Sequence, residues 1–184
     1  MFNSSALQLF FENHKDLPHI SRYHCEGYVE HCLLVIDEMG KKTDDSTLLL
    51  AACLHDIAKP RTQALNKRGE PCFYGHEKLN NEEISKFLSC DDPRFEYVKA
   101  LIWSHMLPYN LKVQEGKNFD AKLKKACEKL LRNEGIDVDV DDEFMRDLSL
   151  LHEADDAGSV RRDEDLFGIE KRCRKGLIRL SKLY

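Results

Sequence analysis

The chain reads as all-α, a helical bundle of about seven to eight helices around a central site. Three observations predict this. Apolar residues recur at helical spacing from residue 5 almost to the C-terminus. Capping residues and helix stops fall at intervals of one helix length. No internal repeat, low-complexity tract or Pro/Gly-rich linker divides the 184 residues, so they read as one domain. Its core falls at about 20–160, and a basic helix follows at about 164–183.

A short first helix is expected over Ser5 to Asn13, ending before Pro18. A second runs from about His24 to Met39, with Gly40 as its stop signal. A third spans about Asp45 to Ile57, with Asp44, Asp45 and Ser46 as capping candidates, and Pro60 cannot continue it. Residues 60–75 carry turn chemistry in Asn66, Gly69 and Pro71 and predict a loop or short hairpin. The next helix is expected from His76 to about Leu88. Asp91, Asp92 and Pro93 open another, which ends near His105. Residues 108–118 read as a loop. Phe119, Leu123, Ala126, Cys127, Leu130 and Leu131 then mark a strongly amphipathic helix stopped by Gly135. Helices over Asp141 to Ala157 and about Glu164 to Leu183 complete the chain.

Composition excludes several classes. Hydrophobic residues make up 42% and charged residues 33%, as in an ordinary globular protein. No apolar run approaches the roughly 20 residues that span a bilayer. The N-terminal segment lacks the basic start of a signal peptide. The net charge of −5 argues against general nucleic-acid affinity, though not against a local basic pocket. The seven cysteines are odd in number and form no CxxC pair. They read as reduced, mostly buried thiols of a cytoplasmic protein.

Six residues of metal-ligating type stand in or beside the expected helices: His31, His55, Asp56, His76, His105 and Asp155. His31 borders the apolar Leu34 and Val35, so its ring points inward, as a ligand or as a hydrogen-bonded core histidine. His24 lies seven residues earlier, on the same face if one helix holds both. His55 and Asp56 end the run LLLAACL, which is apolar on every face. A carboxylate there needs a partner, either a metal or Lys59. His76 stands near an expected helix start, where it could bind a metal or a phosphate or be an exposed histidine. His105 ends an apolar helix, and Trp103 and Met106 read as core. Asp155 follows Leu150, Leu151 and Ala154 on the buried side. Asp156 is one step around, and His152 is a candidate neighbour of the ligands.

These residues, in the order H…HD…D for His31, His55-Asp56 and Asp155, resemble the ligand signature of the HD-domain phosphohydrolase superfamily. HDIAKPRT, FYGHE and LIWSHMLP, with His24 before His31, resemble in particular the HD domain of bacterial CCA-adding tRNA nucleotidyltransferases. The resemblance covers about residues 20–160. The chain lacks the nucleotidyltransferase head, so CCA addition does not carry over. The resemblance implies 2′,3′-cyclic phosphodiesterase, 2′-nucleotidase or phosphatase activity. Alanine at Ala58 replaces the glycine usual after His-Asp-Ile.

On this resemblance His31, His55, Asp56 and Asp155 hold one divalent transition ion (Mn, Fe, Co, Ni or Zn, with Mg possible). The fuller order H…HD…H…H…D resembles the dinuclear branch, which implies a second ion at His76 and His105. With one ion, His76 and His105 would act on the phosphate or the leaving group. Asp56, Lys59, His76 and His105 are the catalytic candidates; Arg22, His24, Lys59 and Arg61 are the candidates for binding substrate phosphate. The expected partner is a small phosphorylated substrate, a nucleotide or an RNA end; a homodimer is possible and a membrane is not expected. Two further classes remain open: an HD-fold di-iron oxygenase, and a non-catalytic nucleotide-sensing or partner-binding module. The basic end KRCRKGLIRLSKLY is either an interaction surface or a cationic terminus suited to the helix dipole.

Overall fold

The computed structural model describes residues 1–21, 24–112, 118–160 and 166–183. Ten helical segments occur among them, of which seven run nine residues or more, together with one small hairpin. The all-α reading therefore holds.

α1 (Ser4–His14) starts where the Asn3 side chain accepts from the Ala6 N–H at 3.0 Å, and it buries Ser4, Leu7 and Phe11 at helical spacing. α2 (Tyr28–Lys42) begins four residues later than expected, leaving His24 outside it. The reason is local: Gly27 is extended, and its N–H donates to the Glu30 carboxylate at 2.7 Å. Gly40 does not stop α2, which runs on to Lys42. A Cβ at Gly40 would lie 2.5 Å from the Arg179 side chain, so this glycine serves a close approach.

α3 (Ser46–Leu54) is capped by Asp45, whose carboxylate accepts from the Thr47 N–H at 2.7 Å. Leu48 through Leu54 are all buried, as a helix apolar on every face requires. It ends before His55. Residues 55–58 form turns that lead into α4 (Lys59–Thr62), and Pro60 sits in the first turn of α4. Ala58 lies at φ −88° and ψ −3°, a conformation open to any residue. The alanine therefore fits the turn without strain.

The expected hairpin is present as β1 (Ala64–Leu65) paired antiparallel with β2 (Pro71–Cys72). The helix expected from His76 is shorter and later: residues 76–77 lie in turns and α5 covers only Asn81–Ser85. Asn80 and Glu83 cap it reciprocally, which fixes the start there. α6 (Phe95–Ser104) follows, and then α7 (Leu107–Lys112) where a loop was expected. Pro108 breaks α6 but occupies a tolerated early position in α7. α8 (Phe119–Asn133) ends at Gly135, whose φ of 65° is left-handed. α9 (Asp142–Gly158) and α10 (Leu166–Leu180) lie close to expectation.

α2 packs against α3, α9 and α10, and α3 packs against α6 and α9. Tyr28, Leu34, Leu50, Phe95 and Phe144 are among the large side chains this arrangement buries fully. α3 is thus surrounded, and its C-terminal end delivers His55 and Asp56 to the interior. The basic α10 uses part of its charge inside the fold: Arg179 Nε lies 3.4 Å from Asp37 and Arg172 3.0 Å from Glu38. All seven cysteines are free thiols, but only Cys32, Cys53 and Cys127 are buried, fewer than the sequence led us to expect. No described helix is long and apolar enough to cross a membrane.

The start of α6 carries a bidentate ion pair. Arg94 donates to Asp92 at 2.8 and 2.7 Å, and its other amino group reaches Ser46 at 3.1 Å, tying α6 to α3. The Arg94 guanidinium holds the Asp92 carboxyl well below its usual range. This stabilisation is complete above about pH 4 and is lost as the pH falls through the lower folded-state value. Asp92→Asn is expected to lower stability by about 1–2 kcal/mol at pH 7. Urea melts should show the gap between variant and wild type closing below about pH 4. A gap that persists in acid would rule the pair out as its source.

Candidate metal centre

Four elements bring the expected ligands to one place: α2 carries His31, the turn after α3 carries His55 and Asp56, α6 ends at His105, and α9 carries Asp155. His76 arrives from the turn after the hairpin. All six are buried. His31 Nε2 lies 3.4 Å from Asp56 Oδ2 and 3.1 Å from Asp155 Oδ1. His55 Nε2 lies 3.2 and 3.7 Å from the same two oxygens. On the other side of Asp56, Oδ1 faces His76 Nε2 at 3.1 Å, and His76 Nε2 faces His105 Nε2 at 3.2 Å. The donors thus form two triads, His31–His55–Asp56 and Asp56–His76–His105, which share Asp56.

The backbone fixes the tautomers. The Nδ1–H groups of His55, His76 and His105 donate to the carbonyls of Ala52 (2.9 Å), Phe73 (2.7 Å) and Ile102 (2.6 Å). A carbonyl can only accept, so Nδ1 carries the proton and Nε2 of a neutral ring presents a lone pair to the cluster. Two such lone pairs on His76 and His105 face one another at 3.2 Å and repel unless a proton or a cation stands between them. Burial above all, with His76 and His55 packed beside it, pushes the His105 pKa down to about 3, which keeps that ring neutral.

These features fit a divalent cation. Among the described residues, the buried His31 Nε2 and His55 Nε2 have no hydrogen-bond partner, and the buried Asp56 Oδ2 meets only the Lys59 ammonium. Bonds of about 2.0–2.2 Å to a common ion place adjacent donors roughly 3.0–3.6 Å apart, close to the spacings found. Burial would lower the His31 pKa, but contacts with Asp155, Asp56 and Glu26 outweigh it and raise the pKa well above the usual value. Without an ion, a proton on His31 supplies the positive charge that the carboxylates require.

Lys59, a candidate from sequence, lies against the cluster together with three residues not singled out from sequence, His19, Glu26 and Tyr109. Lys59 Nζ forms an ion pair with Asp56 Oδ2 at 2.6 Å and donates to His19 Nε2 at 3.0 Å. Glu26 is buried; its Oε1 accepts from His24 Nδ1 at 2.7 Å and lies 3.2 Å from His31 Nδ1, and its Oε2 accepts the Val160 N–H at 3.0 Å. Although burial opposes it, hydrogen bonds from His24 and His31 hold the Glu26 carboxyl well below its usual range. His19 and Glu26 lie outside the described helices, so only their residue types could have flagged them. Tyr109, from the unexpected α7, stands edge-on to His152, with ring centroids 4.3 Å apart, and close enough to Asp155 for that carboxylate to act on its hydroxyl.

One expected phosphate cation is not brought to the cluster. Arg61 pairs with Glu83 and donates to the Lys78 carbonyl, with half its side chain exposed. Arg22 lies outside the described residues. His24 reaches the cluster only through Glu26 and by its ring, whose centroid is 4.9 Å from that of His31.

A helical bundle enclosing a histidine–carboxylate cluster defines a class of proteins that hold divalent metal between helices. A family model described as HD domain matches residues 22–147, and the chain belongs to that family. The match spans five of the six cluster residues, while Asp155 enters through the fold. No curated protein and no solved structure matches the chain.

Stripping divalent ions is expected to lower the melting temperature by roughly 5–10 °C, restored by Mn, Co, Ni, Fe or Zn. The rescue should shrink as the pH falls, because protons compete for His31. Identical melting curves with and without ions at neutral pH would exclude a cation from the cluster.

Proposed function

We propose that this chain is a metal-dependent phosphohydrolase acting on nucleotides or RNA ends, of the 2′,3′-cyclic phosphodiesterase, 2′-nucleotidase or phosphatase type. The observation that carries the reading is the buried double triad centred on Asp56, with the Lys59 amine against that same carboxylate. His31, His55, Asp56 and Asp155 would hold one divalent ion, and Asp56, His76 and His105 a second. Ions bound there would supply an activated water and electrostatic stabilisation of a phosphoryl group.

The remaining chemistry belongs to the chain. Backbone carbonyls pin three imidazoles in the ligating tautomer, so no reorganisation is needed on binding. Lys59 is 5% exposed and held between Asp56 and His19, and it would supply a cation to neutralise phosphate charge. A small phosphorylated substrate is therefore the proposed partner.

The test is turnover of 2′,3′-cyclic nucleotides, of 2′-, 3′- and 5′-monophosphates and of triphosphates by stripped protein resupplied with single metals. Release of phosphate, or opening of the cyclic ester, supports the reading. The shared carboxylate also matches an HD-fold di-iron oxygenase. Silence on every phosphate ester, with iron bound and dioxygen consumed, would replace the hydrolase with that enzyme.

A further inference from the structure

The segment Phe73–His76 is a tight turn, closed by the His76 N–H donating to the Phe73 carbonyl at 3.2 Å, with Gly75 left-handed at φ 79°. The His76 ring donates to the same carbonyl at 2.7 Å. Phe73 and His76 belong to the site. The Phe73 ring centroid lies 5.7 Å from that of His19 and 5.5 Å from Lys59 Nζ. Tyr74, between them, is 82% exposed.

The cluster meets solvent at His76 and Asp155. The side chains of His76 and Asp155 keep 9% and 10% of their surface, against 0–2% for His31, His55 and Asp56. Two residues of chain put the Tyr74 Cα within about 7 Å of the His76 Cα. Ile20, which follows His19, adds a second exposed apolar side chain, 67% accessible. A phosphate drawn to Lys59 and His76 therefore carries the rest of its molecule past a free aromatic face. Bases without a paired strand stack on such rings irrespective of sequence.

We propose that Tyr74 is a specificity-determining residue that stacks on the nucleobase of the substrate, so that base-bearing phosphates are taken in preference to base-free ones. This rests on the phosphohydrolase reading. The turn couples the two tasks, since the one Phe73 carbonyl orients the His76 ring and sets Tyr74 at the opening.

The experiment compares wild type, Tyr74→Ala, Tyr74→Phe and Tyr74→Trp, all metal-loaded, with nucleoside monophosphates and with ribose 5-phosphate. Tyr74→Ala is expected to raise KM for the nucleotides about tenfold, with kcat and metal content unchanged. KM for ribose 5-phosphate should not move, and Tyr74→Phe should retain the wild-type KM. An unchanged nucleotide KM in Tyr74→Ala, or an equal loss on ribose 5-phosphate, overturns the proposal. If wild type turns over no phosphate ester, the hydrolase reading fails, and stacking is still read by fluorescence. With the Trp103 signal of wild type subtracted, saturable quenching of Tyr74→Trp by AMP and not by ribose 5-phosphate supports stacking. No quenching by AMP overturns it.

Discussion

Asp56→Ala is expected to abolish turnover and to remove most of the bound metal. No other residue belongs to both triads. Its Oδ2 faces His31 at 3.4 Å, His55 at 3.2 Å and Lys59 at 2.6 Å, while Oδ1 faces His76 at 3.1 Å. Deleting it strips one anionic donor from each triad and leaves the imidazoles to hold a cation with Asp155 alone. A loss of several kcal/mol of transition-state stabilisation corresponds to about a thousandfold or more in rate. The alanine also leaves the Lys59 amine buried without its carboxylate, a fault that costs about 3–5 kcal/mol when an ion pair is broken from one side. Asp56→Asn separates the two effects. It keeps an acceptor for Lys59 but loses the anionic donor, so it should fold while metal content and activity fall. Metal analysis and turnover on the same preparations decide the matter. An active, metal-replete Asp56→Ala protein would overturn the assignment of Asp56 as a ligand.

The cluster was legible because its members are chemically conspicuous at element ends. His55 and Asp56 close an apolar run that must be buried, and Asp155 shares the buried side of α9 with Leu151 and Ala154. Periodicity found the long helices for the same reason: their buried faces repeat every three or four residues. It failed where an element is set by a contact distant in sequence or by a cap. α2 starts at Tyr28 because Glu30 closes on the Gly27 N–H. α7 forms across residues that read as a loop, and so Tyr109 was missed. Lys59 was expected at the site and Arg61 beside it, but Glu83, twenty-two residues on, draws Arg61 away. Gly40 shows the same failure most plainly. From sequence a glycine near a helix end means a stop, whereas here it means that another helix's side chain lies against it.

That interhelix contact carries the second large effect: Gly176→Ala is expected to destabilise the protein by about 1–3 kcal/mol. α10 crosses α2 so closely that a Cβ at Gly176 would lie 2.2 Å from the Leu33 carbonyl oxygen and 2.9 Å from its carbon. Both are backbone atoms of α2, which cannot rotate aside as a flexible side chain can. The helices must separate, and the separation loosens the Arg179–Asp37 and Arg172–Glu38 pairs that span the same interface. Alanine's helix propensity offsets only about 1 kcal/mol of the clash. The same helix supplies the control. Gly168 has a negative φ and, among the described residues, nothing within 4 Å of a Cβ, so Gly168→Ala should be neutral or slightly stabilising. At roughly 2–4 °C per kcal/mol, Gly176→Ala should melt about 2–12 °C below wild type. Leu33 lies two residues beyond His31 on α2, so a displaced α10 should also weaken metal binding, which Gly168→Ala should leave unchanged. Equal melting temperatures for the two variants would show that α10 is not held against α2 by this contact.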